Sequence, residues 1–218
     1  PNPIYRKEDR ARHLAFAREV GFGVLAMNGA DGPLMAHVPF ILNEAGDLAE
    51  LHLVRSNPVA RMLKTPQPVR LAVTGPDSYV SPDWYGIPDQ VPTWNYVAVH
   101  LTGTLEARPA EELPDLLARQ SAVYETRLLP KKPWTLDKMT SEARDKMLRM
   151  IVPCQMRVTA IDGTWKLGQN KDEAVRPAAA EQMAEHGFGR DPAARAARLR
   201  DAGLSAPERE RLQEEPAL

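Results

Sequence analysis

Residues 93–107, TWNYVAVHLTGTLEA, alternate without interruption, with Val97, Val99, Leu101, Gly103 and Leu105 on one face. Successive side chains of a β-strand point to opposite sides, so this run needs a sheet that is buried on one face. The pattern recurs along the chain. FGVLAMN (22–28) reads as a strand, and 28–33 (NGADGP) supplies the turn after it. In LMAHVPFIL (34–42), Leu34, Ala36, Val38, Phe40 and Leu42 share one face, and Met35, His37, Pro39 and Ile41 the other. Pro39 cannot donate to a ladder, which places this strand at an edge or bulges it there. NEAGD leads into LAELHLV (48–54), and VRLAVTG (69–75) gives a further strand. Residues 155–161 add one more, ending at an Asp162-Gly163 turn.

Helical spacing appears between these runs. Residues 8–20 place Leu14 and Ala17 together, with Gly21 as the stop. Asn57 is a suitable N-cap and Pro58 suits a first helical position, so a short helix starts where a strand ends. Further helices are expected near 114–124 and 141–150. The Ala-, Arg- and Glu-rich tail from Pro177 predicts two or three short surface helices. Five or six antiparallel strands with inserted helices make a small β-barrel with peripheral helical cover. The expected organisation is a barrel domain over 1–176 and a helical C-terminal extension over 177–218.

Charge and cysteine content narrow the function classes. With 28 basic and 29 acidic residues in 218, the net charge of −1 sets up no global field toward nucleic acid or membrane. No apolar run approaches the roughly 20 residues needed to span a bilayer, and the first residues lack the apolar centre of a secretory signal. Cys154 is the only cysteine. A disulfide framework is excluded within the chain, which fits a reducing cytoplasm.

Two donor-rich segments stand out. At RSNP (55–58), a helix N-terminus coincides with the side chains of Arg55, Ser56 and Asn57, which together could hold an anion, although these residues taken alone read first as a well-capped helix beside a solvated arginine. WKLGQNK (165–171) follows a strand and could be a ligand clamp or a surface loop. WYGIPDQVPTWNY (84–96) sets Trp84, Tyr85, Trp94 and Tyr96 in a proline-rich loop, fit either to wall a flat ligand or to plug a barrel mouth or interface. His37, His100 and Tyr96 are the candidate proton donors. Dinucleotide, P-loop, CxxC, zinc-protease and nucleophile-elbow motifs are all absent from the sequence.

AHVPF, LHLVRSNP, YVSPDWY, VPTWNYVAVHLTG and WKLGQNK, in this order and at these spacings, resemble the PaiB family of FMN-binding negative transcriptional regulators. The resemblance runs from about Ile4 to about Gly187. It implies an FMN-binding split β-barrel, assembled as a homodimer with flavin at the subunit interface. It places Arg55, Ser56 and Asn57 near the FMN phosphate, and His37, Val38, Pro39 and Phe40 near the isoalloxazine. Trp94, Asn95 and Tyr96 follow as a cofactor-lining block. Lys166, Gln169 and Asn170 match a Lys-x-Ser-Gln-Asn pattern in which Gly168 replaces the serine and removes a hydroxyl donor.

The family name implies a cytoplasmic regulator. The sequence shows no helix-turn-helix and no basic arm beyond the four arginines of RDPAARAARLR (190–200), so direct DNA contact has no support in charge or motif. A flavin-dependent oxidoreductase and a non-catalytic flavin sensor are the alternatives.

Overall fold

The computed structural model describes residues 2–200 and 202. Six strands, β1 (Phe22–Gly29), β2 (Gly32–Leu42), β3 (Leu48–Val54), β4 (Gln67–Val80), β5 (Thr93–Ala107) and β6 (Ile151–Lys166), close a barrel in the order β1-β2-β3-β6-β5-β4. The pairings β1–β2, β1–β4, β2–β3 and β3–β6 are antiparallel. The helices are α1 (Arg10–Val20), α2 (Pro58–Met62), α3 (Leu113–Glu125), α4 (Ser141–Leu148), α5 (Arg176–His186) and α6 (Pro192–Arg200).

By its contacts the chain divides into two compact units, each drawn from separated segments. One comprises 9–73 and 99–162, the other 1–8, 74–98 and 163 onward. In the first, the faces expected from alternation are the buried ones. Leu25, Val38, Phe40, Leu51, Leu71, Leu101 and Met156 point inward and are nearly or fully inaccessible. Burial of each such side chain contributes roughly 1.5–3 kcal/mol. Gly103 belongs to this inward set because β6 crosses it closely: a Cβ there would run into the Arg157 carbonyl.

Pro39 is not at an edge. β2 lies between β1 and β3, with Phe22↔Pro39 the last pair on one side and Phe40↔Leu51 the first on the other. The missing N–H falls where the strand changes partners and breaks no ladder.

The second unit corrects three expectations. β4 continues to Val80 rather than stopping at Gly75, because segment 188–190 hydrogen-bonds to it. Tyr79 N donates to Phe188 O at 3.1 Å, and Asp77 N to Arg190 O at 2.9 Å. β6 continues through Asp162 and Gly163 to Lys166, so no turn forms there; Gly163, Thr164 and Trp165 are buried in the extended strand. The tail helices are not surface helices. Ala179, Ala180 and Met183 of α5 join Ala196 and Leu199 of α6, Val80 and Tyr85 in a second core. Alanine lets two helices approach closely, so a helix poor in large apolar residues still buries a face. The expected tail helices beyond residue 202 lie outside the described residues. Among the described residues no helix is long and apolar enough to cross a membrane.

Candidate functional site

The residues singled out by sequence fall in both units.

In the unit built from 9–73 and 99–162, β3 ends at Val54 and the chain turns into α2. Asn57 caps α2 by accepting from Val59 N at 2.9 Å. The Arg55 guanidinium reaches across to the start of β6, where Nε donates to Arg149 O at 3.0 Å and Nη2 to Ile151 O at 3.1 Å. Its backbone N–H donates to Met150 O at 2.8 Å. Arg55 is thereby fixed at the rim of a cavity of about 560 Å³ lined by Arg55, Ala60, Arg61, Leu63, Lys64, Ala107 and Val152. Three cations and no carboxylate line it, and among the described residues none of the three forms an ion pair. Such a cavity favours a dianion through unopposed positive charge.

Arg61 and Lys64 escape the motif-based reading. Their signal is RMLK (61–64), two cations three residues apart, separated from RSNP by Val59 and Ala60. The helix-dipole argument carries less than expected, since α2 spans only five residues and Asn57 already occupies the Val59 N–H. The anion-directed charge comes from side chains.

Segment 37–40 divides by face. Val38 and Phe40 are core side chains, whereas His37 is exposed on the outer face and stacks on Phe22 at a centroid distance of 6.4 Å. His100 lies on the outward side of β5, with Nδ1 3.8 Å from Asp162 Oδ1. Cys154 is buried and its thiol pKa is pushed up to about 12 by desolvation, which removes it as a nucleophile at neutral pH.

In the other unit, the four loop aromatics take different roles. Tyr85 is buried in the α5–α6 core with Trp84 packed against it. Trp94 is 44% exposed and meets Phe188 edge-on at 5.6 Å, while Phe188 stacks on Tyr79 at 5.2 Å. Tyr96 is half-buried on the same strand face as Trp94. Asn95 faces the opposite way and is 1% exposed. Neither Nδ2 nor Oδ1 of its amide is hydrogen-bonded among the described residues.

The 165–171 loop is held from within. Gln169 Nε2 donates to Trp165 O at 2.6 Å, and its Oε1 accepts from Leu167 N at 2.8 Å. Both ends of Gln169 shape the loop, whereas Asn170 is exposed. Lys166 Nζ donates to Thr93 Oγ1 and lies 5.8 Å from the Tyr5 ring centroid. Lys171 Nζ donates to Gln90 Oε1 and lies 5.2 Å from the Tyr85 centroid. Burial, with Lys171 nearby, lowers the Lys166 pKa. Two ammonium groups so placed favour an anion or an electron-rich ring edge.

Residues 1–160 match the family model described as "Putative FMN-binding domain". The chain belongs to this FMN-binding family. FMN is the cofactor that membership assigns. Within the PaiB group, the chain is 29% identical to the protease synthase and sporulation protein PAI 2 of Bacillus subtilis (strain 168), over 83% of this chain and 87% of that one. Among solved structures, the FAD and heme binding protein of Mycobacterium smegmatis superposes with a TM-score of 0.55 at 17% identity, covering 85% of this chain and 82% of that one. A conserved hypothetical protein of Mycobacterium tuberculosis gives 0.52 at 15% identity, with 77% and 91% covered. These structural likenesses establish the flavin-binding split-barrel fold.

The residues present fit the FMN-binding assignment. The cavity beside Arg55 supplies unopposed cations suited to a phosphate. Bound flavin would supply redox chemistry, and the chain's part is to bind and orient it.

Proposed function

We propose that this PaiB-type protein holds the phosphate of FMN in the cavity lined by Arg55, Arg61 and Lys64, with Ser56 and Asn57 at its edge. The lining of three cations without a carboxylate carries this reading. Lys166 and Asn170 direct donors toward the flavin's polar edge, and Gln169 keeps that loop in shape. The protein works as a homodimer with flavin at the subunit interface, in the reducing cytoplasm that a single buried cysteine fits. Kinship with the Bacillus subtilis sporulation protein supports a negative regulatory role. A net charge of −1 offers little counterion-release drive for DNA, which favours regulation through a partner or a small molecule over direct repression.

Parallel titrations with FMN and riboflavin test the phosphate assignment, because the two ligands differ only in the phosphate. Lys64→Ala and Arg61→Ala are each expected to weaken FMN by about ten- to a hundredfold, the loss of one charge-assisted contact of roughly 1.5–3 kcal/mol. Riboflavin binding should be unchanged. Equal losses for both ligands would show that these cations do not read the phosphate.

A further inference from the structure

Gly168 stands in the middle of the donor loop with a φ of +80°, a conformation that L side chains rarely adopt. A Cβ placed there would lie 2.6 Å from Leu199 Cδ1, and 3.8 Å from both Asn95 Nδ2 and Tyr85 Oη. Leu199 is fully buried on α6, and the same side chain belongs to the core made with α5, Val80 and Tyr85. The space a side chain at 168 would need is therefore filled by a leucine from the C-terminal helix. Lys171 N donates to Gly168 O at 2.9 Å, so the glycine opens a hydrogen-bonded turn within the loop. Both partners lie beyond residue 160, where the match to the family model ends.

We infer that Leu199 is a positioning residue for the flavin-binding loop, with α6 acting as a latch that sets the geometry of Lys166 and Asn170 through contact with Gly168. The pair is complementary: a side chain at 168 expels Leu199, and loss of Leu199 removes the apolar backing of the 166–171 loop while the ties of Lys166 to Thr93 and Lys171 to Gln90 remain. Gln169 fixes the loop's internal shape through Trp165 and Leu167 but ties it to nothing outside 165–169. Leu199 supplies an external anchor. The C-terminal extension is thus part of the ligand-binding apparatus. The consequence for flavin rests on the proposal that Lys166 and Asn170 face the cofactor; the latch itself does not.

The test uses the full-length chain in four forms: wild type, Leu199→Ala, Gly168→Ser, and the two combined. Amide hydrogen exchange over 166–171, measured without flavin, reads the latch directly. Each single variant should exchange faster there by about tenfold, the size of a modest coupling between elements. Gly168→Ser alone should also speed exchange in α6. In the double variant the small residue at 199 accommodates the new Cβ, so exchange in α6 should rise by less than the sum of the two single effects, a non-additive result. Leu199→Met, which conserves volume, should resemble wild type in every readout and separates the contact from general destabilisation. Exchange at 166–171 that is unchanged in Leu199→Ala would overturn the latch, because Gly168→Ser strains the backbone at 168 whether or not Leu199 acts. FMN titration of Lys166→Ala and Asn170→Ala then separates the two ideas. If neither weakens FMN while the latch variants still loosen the loop, the latch stands and the loop's assignment to flavin falls. If both weaken FMN and Leu199→Ala does so by about tenfold as well, both stand.

Discussion

His52 sits half-buried on β3 against Gln120 of α3, with its Nδ1 and the Gln120 Nε2 lacking partners among the described residues. Burial lowers its pKa from the ordinary 6.5, and the hydrogen bond to Gln120 opposes this only in part. The unfolded state therefore takes up the proton first as pH falls. Stability from the neutral imidazole is complete above about pH 6.5 and declines as pH drops from there toward the folded-state pKa. Urea unfolding between pH 8 and 5 should show this slope, up to about 1.4 kcal/mol per pH unit for one proton. His52→Leu should lose that component; an unchanged slope would assign the acid sensitivity elsewhere. Single residues were unevenly legible in the sequence. That His52 faces away from Leu51 and Leu53 follows from alternation, but its partner on α3 does not. Gly168 is visible as a departure from a motif, yet the leucine that explains it is remote in the chain. Asn95 is marked as cofactor-lining through the family resemblance, and the burial of its amide follows from its place on the same face of β5 as Val97 and Val99.

At the scale of elements, α1 and α3 are tied by polar groups rather than by apolar contact alone. The Tyr124 hydroxyl lies 2.6 Å from Gly21 O, to which it donates, and 3.0 Å from Phe40 O. Arg127 donates to Arg18 O at 2.9 Å and to Glu19 O at 2.6 Å, satisfying carbonyls left open at the end of α1. Tyr124→Phe removes one donor from a partly buried pair of carbonyls, so unfolding free energy should fall by about 1 kcal/mol. Tyr124 does not line the cation-lined cavity, so the phosphate's share of the affinity, read as the difference between FMN and riboflavin, should hold. A loss of that difference with unchanged stability would contradict this division of roles. The elements themselves were legible where patterning and punctuation agree, as in β1, β2, β3, β5 and the Asn57-Pro58 start of α2. They were misjudged where a later segment completes them. β4 runs past Gly75 because Phe188 and Arg190 pair with it, and the alanine-rich α5 and α6 form a core that no local period reveals.

For the whole molecule, the outer face of β1, β2 and β4 leaves large apolar side chains in water. Phe22 is 50% exposed and Met35 59%, with Val24, Ala26 and Ala72 half-buried between them and His37 stacked on Phe22. The register brings Val24 opposite both His37 and Ala72, and Ala26 opposite Met35, so these residues are contiguous across three strands. A strand face this apolar in water is a cost that association removes, and the proposed homodimer is the simplest association a chain can make with itself. Met35→Asp separates the folding of the subunit from its pairing. In a lone subunit the aspartate stays hydrated and should change stability little. In a dimer it would be a buried, unpaired carboxylate costing several kcal/mol. Sedimentation should therefore show wild type as a dimer and Met35→Asp as a folded monomer. The melting temperature should rise with protein concentration for wild type only, since mass action stabilises only a chain whose native state associates. FMN titration of the same monomer locates the cofactor. A flavin held at the subunit interface loses part of its site when the partner leaves, so its affinity should fall together with dimerisation. A monomer that keeps full FMN affinity would place the flavin within one subunit.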